Sequence, residues 1–321
     1  MKAMIWTGYG PPEVLRMGEV KKPTPKDGEV LIRICATTVT AADCELRAFR
    51  NFNALWLPLR LYIGLLRPSR IRILGQEIAG EIEAVGKDVT RFKAGDLVFG
   101  STGLRLSANA EFICLPQTGM LGLKPANLSY DEAAVLPLGG LEAVHILKQA
   151  NIQAGQQVLI VGAGGTIGTF AVQLARHLGA EVTGVDSSEK LDMLRSIGAM
   201  HVIDYTREDF TRNGQTYDVI FDAPGRSSFA HSERSLKPNG QYLSANPGSS
   251  GRVRSVRGSK AGGARYSSPT QQDLAYLCDL IEAGKIVPVI DRRYPLEQAA
   301  EAHRYVDSGR KKGNVVLTVD R

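Results

Sequence analysis

A chain of 321 residues is long for a single core, so two domains are expected; hydrophobic residues at 43% and charged residues at 22% describe an ordinary globular protein. The four cysteines (Cys35, Cys44, Cys114, Cys278) lie far apart with no C-x-x-C, which excludes a disulfide framework and a four-cysteine zinc lobe and fits a reducing, cytoplasmic setting. The net charge of +6 is uneven: six arginines (Arg47, Arg50, Arg60, Arg67, Arg70, Arg72) and no acid lie between Arg47 and Gln76.

In chain order, the first residues run straight into a strand-like pattern, with no secretory or transit features. Residues 14–17 and 29–34 are strand candidates, separated by Pro23, Pro25 and an Asp27-Gly28 turn. A helix is predicted from Thr40 to Arg47. The longest apolar run, residues 54–66, carries Pro58 and Arg60 and is too short to span a bilayer. Its Leu55, Trp56, Leu59, Leu61, Tyr62 and Leu65 predict a helical flap over a pocket, or weak peripheral membrane contact through residues 47–72. Strands follow at 78–85, at the end of 92–99 and at 110–115. Many short strands with glycine turns predict a compact β-barrel-like domain.

The texture changes at Asn127. Ser129 is a plausible N-cap with Glu132 three residues on. Strands at 157–161, 181–185, 202–204, 217–222 and 241–244 then alternate with helices, two of them ending at Gly198 and near residues 238–240. Such alternation predicts a parallel doubly wound sheet. A helix from 271 to 283, another from 296 to 306 and a last strand at 315–319 complete the chain. The last strand is a candidate closing layer for the N-terminal domain.

The most informative stretch is 157–168, a β-branched strand running into Gly162-Ala163-Gly164-Gly165-Thr166-Ile167-Gly168. Gly162 permits a sharp turn, Gly164 and Gly165 let bare backbone approach a phosphate, and Gly168 allows close helix packing. The helix opening at Thr166 and Ile167 offers N–H groups and a positive dipole end to a pyrophosphate. Asp186 closes the next strand, roughly 24 positions after the first glycine, where it would bind an adenosine ribose. Ala223 and Pro224 follow the fourth strand and Asn246 follows the fifth, at the carboxyl ends where such sheets meet ligands. A second acid-free basic stretch runs through Arg252, Arg254, Arg257, Lys260 and Arg265. Both basic stretches read as solvated faces or as attraction for anionic ligands or an acidic lipid surface. They lack the interleaved aromatics of a single-strand platform, so nucleic acid is not expected as a partner.

The segments Gly75-Gln76-Glu77-Ile78-Ala79-Gly80, Phe92-Lys93-Ala94-Gly95-Asp96-Leu97-Val98-Phe99, Leu136-Pro137-Leu138-Gly139-Gly140-Leu141 and Ile203-Asp204-Tyr205, in this order, resemble the medium-chain dehydrogenase/reductase superfamily. The chain is most similar to its zinc-free quinone oxidoreductase branch. The resemblance implies an α/β chain with a GroES-like β-rich catalytic domain from residues 1–126 and 268–321. It implies a Rossmann domain from 127–267, and an active site in the cleft between the two. At the positions where zinc alcohol dehydrogenases bind zinc, the chain carries Thr40, Gln76 and Pro137 or Leu138, which cannot replace thiolate and imidazole. No zinc is expected.

The resemblance further implies hydride transfer from NAD(P)H to a quinone or an α,β-unsaturated carbonyl. Metal-free alcohol oxidation, and a non-catalytic NAD(P)H sensor or nucleic-acid binder, are the alternatives. Thr40 stands where the branch often has Asn near the nicotinamide, and it and Tyr62 are the catalytic candidates. Asp43 matches the family pattern and could simply hold the loop. Asp186 favours NAD(H) slightly, whereas Ser187 and Lys190 match groups that cradle a 2′-phosphate in related reductases. Tyr205 is placed near the adenosine, and Asn314 at a cofactor-contacting position. Glu142 replaces a Thr common in the branch and would need a partner beside a phosphate. A homodimer is the symmetric expectation.

Overall fold

The computed structural model describes residues 1–50, 56–225, 227–245, 253–255 and 269–319, the three residues 253–255 by their backbone alone. The chain separates into two compact units, Met1–Pro137 with Ile290–Arg321, and Leu138–Val289. Among the described residues no helix is long and apolar enough to cross a membrane.

In the first unit, β1 (Lys2–Trp6) and β2 (Leu15–Glu19) form an antiparallel pair. Strand β3 (Glu29–Thr38) leads into helices α1 (Ala41–Ala48) and α2 (Trp56–Ile63). Then come β4 (Glu77–Val85), β5 (Leu97–Ser101), β6 (Phe112–Pro116), β7 (Leu121–Leu123) and a short helix α3 (Tyr130–Ala134). β3 is the hub, pairing antiparallel with both β4 and β6. It runs four residues past the predicted 29–34 because its polar end is satisfied inside the sheet. Thr37 Oγ1 donates to the Glu77 carbonyl (2.7 Å) and Thr38 Oγ1 to Glu77 Oε2 (2.5 Å). Ser129 and Glu132 form the expected capping box at α3.

The second unit opens with α4 (Leu141–Ala150), β8 (Gln157–Val161), α5 (Thr166–His177), β9 (Glu181–Asp186) and α6 (Leu191–Ser196). It continues with β10 (His201–Asp204), β11 (Tyr217–Asp222), α7 (Phe229–Ser232), β12 (Leu236–Ser244), β13 (Val253–Ser255) and α8 (Gln271–Glu282). The sheet order is β10-β9-β8-β11-β12-β13, parallel apart from β13. Residues 238–240, expected after a helix, instead lie inside β12. Pro238 and the left-handed Asn239 (φ 69°) are absorbed by a register shift against β11 between Tyr217 and Val219.

The tail supplies β14 (Ile290–Pro295), α9 (Ala299–Asp307) and β15 (Asn314–Thr318) to the first unit. β15 lies antiparallel to β3, so the last strand does close the N-terminal sheet. Both borders between units fall later than the expected 126/127 and 267/268. α3 packs on β3, β4 and β15 and so belongs with the first unit, while α8 packs on α4 and belongs with the second.

Helices α1 and α9 meet in the core of the first unit. Cys44 Sγ lies 3.3 Å from His303 Nδ1, and Arg47 Nη2 lies 2.6 Å from Asp307 Oδ2. Burial is the main force on His303, pushing its pKa from 6.5 down to about 3, with the Arg47 charge adding to it. The folded chain therefore keeps His303 neutral while the unfolded chain takes up a proton. Stability present above pH 6.5 is lost as the pH falls towards 3, at about 1.4 kcal/mol per pH unit at most. Urea unfolding across that window should show the slope in the wild type and a slope shallower by one proton in His303→Gln; equal slopes would contradict it.

Candidate functional site

Parallel pairing brings the strand ends of the second unit level. Val161 pairs with Val185 and Asp222, Asp222 with Ser244, and Asp186 with Asp204. At this edge the chain leaves β8 through Gly162, at φ 68°. A Cβ on Gly162 would stand 2.6 Å from Pro224 Cδ. Its amide and that of Ala163 donate to the Val185 carbonyl (2.9 and 3.1 Å), and the Gly165 amide returns to the Gly162 carbonyl (3.0 Å). Gly165, which has no side chain to offer, is then the N-cap of α5. The leading N–H groups at Thr166 and Ile167 lie at the electropositive end of the helix. A Cβ on Gly168 would lie 2.3 Å from the Gly162 carbonyl oxygen and 2.7 Å from Ala163 Cα, so only glycine lets α5 start so close to the bend. This cradle of bare backbone fits the diphosphate of a dinucleotide.

Beside it, Asp186 Oδ2 accepts from the Gly164 amide (2.8 Å) and Oδ1 from the Ser187 amide (2.8 Å). Lys190 Nζ lies 3.0 Å from Oδ1, and both side chains are more than nine-tenths buried. The pair is four residues apart in Asp-Ser-Ser-Glu-Lys, from the end of β9 to the short turn after it, a signal the sequence reading did not use. On the neighbouring strand Asp204 accepts from Ser188 Oγ, from Thr206 Oγ1 (2.6 Å) and from the Thr206 amide (2.9 Å), bonds that hold its carboxyl below the usual range. Tyr205 donates its amide to the Asp186 carbonyl (3.2 Å) and leaves its ring exposed.

Ala223 and Pro224 are held by the acid that closes β11. Asp222, fully buried, accepts from the Gly225 amide (3.0 Å), from the Ser227 amide (2.7 Å) and from Tyr242 Oη (2.8 Å). The Ala223 amide reaches the Val161 carbonyl (3.2 Å). Asn246, the remaining candidate on this edge, lies outside the described residues. Burial pushes the Glu142 carboxyl up, against the pull of His145.

Thr40, Tyr62 and Asn314 belong to the first unit. Thr40 is the N-cap of α1 in a full capping box. Its hydroxyl donates to Asp43 Oδ2 (2.6 Å) and accepts from the Asp43 amide (3.2 Å). Just before it the Val39 amide bonds the Val315 carbonyl (3.0 Å), next to the buried Asn314 that opens β15. Tyr62 is half exposed on α2.

The family model of the alcohol dehydrogenase GroES-like domain matches residues 26–152, and that of the zinc-binding dehydrogenases matches 197–317. The alanine dehydrogenase/PNT C-terminal domain matches 142–227, across the glycine bend. The quinone oxidoreductase of Pseudomonas aeruginosa is 32% identical over 98% of this chain and 99% of its own. The chain belongs to the medium-chain dehydrogenase/reductase superfamily, in its quinone oxidoreductase-like branch. A chloroplastic NADPH-dependent alkenal/one oxidoreductase of Arabidopsis thaliana is 30% identical over 99% of this superfamily member and 79% of its own length. The structure of the quinone oxidoreductase from Coxiella burnetii superposes with a TM-score of 0.86, at 29% identity, over 100% of this chain and 99% of that one. The first unit thus carries the superfamily's GroES-like domain and the second its Rossmann-like domain.

Close approach at the bend makes a direct prediction for this dehydrogenase/reductase. Gly168→Val should lower stability by about 1–3 kcal/mol, because added bulk must push α5 off the strand end. It should also weaken dinucleotide binding at least about tenfold. Urea unfolding and nucleotide fluorescence titration check the two effects, and an unaffected variant would show that the approach is not needed.

Proposed function

We propose that this chain reduces quinones or α,β-unsaturated carbonyls with NADPH or NADH, and does so without zinc. The observation that carries the reading is the glycine cradle at the start of α5, set in a chain that aligns over nearly its whole length with a quinone oxidoreductase and an alkenal/one oxidoreductase. Gly162, Gly164 and Gly165 with the amides of Thr166 and Ile167 would hold the diphosphate, and Asp186, Ser187, Lys190 and Tyr205 the adenosine side. The bound nucleotide supplies the hydride.

Zinc independence is supported by donor chemistry. Thr40 commits its hydroxyl proton to Asp43, Gln76 offers an amide in place of an imidazole, and Leu138 has no donor atom in its side chain. Among the described residues no group of three or more His, Cys, Asp or Glu is placed to hold a metal ion. An electron-poor quinone or enone spreads the negative charge that reduction places on it. The protein is then asked for orientation and for a hydrogen bond to the developing oxyanion. We assign that donor role to Tyr62. Thr40, its proton spent, serves as an acceptor for an amide or hydroxyl of the ligand. Four free thiols support a reducing, cytoplasmic setting, and twofold symmetry is the default for an oligomer.

Nucleotide choice follows from the Asp186–Lys190 pair. Two charges so deeply buried stay paired, so the carboxylate repels a 2′-phosphate little, while its oxygens still accept from a ribose diol. Both nucleotides should therefore bind, with less than about tenfold discrimination. Asp186→Asn should weaken NADH about tenfold through the lost charge-assisted bonds and strengthen NADPH by releasing Lys190. Separate fluorescence titrations check this; equal losses for both nucleotides would contradict it.

The activity itself is tested by anaerobic mixing with a panel of quinones, alkenals and simple aldehydes. Nucleotide oxidation with the first two classes is expected. No oxidation with any acceptor would remove the proposal.

A further inference from the structure

The apolar run read from sequence as a flap forms α2, and the chain then folds back onto it. Gly64 takes φ 143°, where a Cβ would stand 2.1 Å from the Arg67 carbonyl oxygen. The amides of Ser69 and Arg70 both reach the Ile63 carbonyl (3.1 and 3.0 Å), and Arg70 Nη1 donates to the Leu61 carbonyl (3.2 Å). Ile63 is the buried root of this knob. Arg60 fastens its base, with the guanidinium 3.7 Å from the Tyr9 ring centre and 5.0 Å from that of Trp56.

Above the root the surface is apolar. Leu66 exposes 90% of its area and Leu61 55%, and Trp56, Leu57 and Leu65 are about half exposed. Scattered apolar residues are ordinary on a protein surface, but here they are gathered on one helix and the turn that follows it. The segment that carries them, residues 47–76, holds six arginines and no acid. Arg47 and Arg50 both close on Asp307 (2.6 and 2.8 Å), whereas the exposed Arg67, Arg70 and Arg72 make no ion pair among the described residues.

These two features select the occupant. A second copy of this chain meeting the knob about a twofold axis would set the same unpaired arginines against each other. An anionic bilayer satisfies both: leucines enter the acyl boundary, Trp56 rests at the headgroup level, and guanidinium groups meet lipid phosphates. We propose that α2 and the Gly64–Arg72 turn are a docking knob for an anionic membrane surface, with Leu61, Leu65 and Leu66 inserted and Arg67, Arg70 and Arg72 on the headgroups. The proposal rests on the first unit alone; it shares α2 with the reductase reading through Tyr62, which is not among the residues placed on the membrane.

The test uses the full chain and large vesicles of phosphatidylcholine with and without phosphatidylserine. The chain has two tryptophans, and Trp6 is fully buried, so a blue shift of emission on vesicle addition reports Trp56. Sedimentation with the serine-containing vesicles and a blue shift lost in Trp56→Phe are expected. Changing any one of Arg67, Arg70 and Arg72 to Gln should weaken retention about fivefold. Leu65→Ser with Leu66→Ser should weaken it at least about tenfold. Retention by neither vesicle type, equal retention by both, or light scattering showing that the leucine variant splits a dimer would overturn the proposal.

Discussion

The structure depends on how closely a helix can approach the end of the strand before it. In a parallel sheet the first turn after β8 must reverse direction and still bring the start of the helix up to the strand end. Here that is possible because Gly168 brings α5 to within van der Waals range of the Gly162 carbonyl, a spacing that a single added carbon would close. The positive end of α5 then stands at the strand edge, which is an asset beside a phosphate. The neighbouring strands end at the same level, so Asp186, Ala223 and Pro224 arrive at the same edge by register.

Electrostatics at that edge is set by pairing more than by the acid that sequence rules single out. Asp186 taken alone looks like a ribose-binding carboxylate that rejects a phosphate. Paired with Lys190 and holding the Gly164 amide, it also organises the loop it was expected only to face. Asp222 does the same for the next loop, spending its oxygens on Gly225, Ser227 and Tyr242. Both carboxylates shape backbone first, and any contact with a ligand builds on that shape.

Local signals were legible in the sequence. The glycine bend, the Ser129–Glu132 box and the last strand could be read because glycine geometry, capping and alternation act over a few residues. What was not legible depends on partners far along the chain. β3 continues past residue 34 only because Glu77, on another strand, receives its threonines. Pro238 looked like a break, and register with β11 absorbs it into β12. Thr40 could be read as a cap or as a ligand contact. Its bonds to Asp43 show the cap, and they restrict any further role to accepting a hydrogen bond.

The central claim is that a backbone cradle and an electron-poor acceptor suffice, with no Lewis acid. Single-turnover bleaching of bound NADPH by a quinone, in protein stripped of metal and verified by elemental analysis, tests it most directly. The account predicts the same rate before stripping, after stripping and after zinc is restored. Bleaching that stops on stripping and returns with zinc would contradict it.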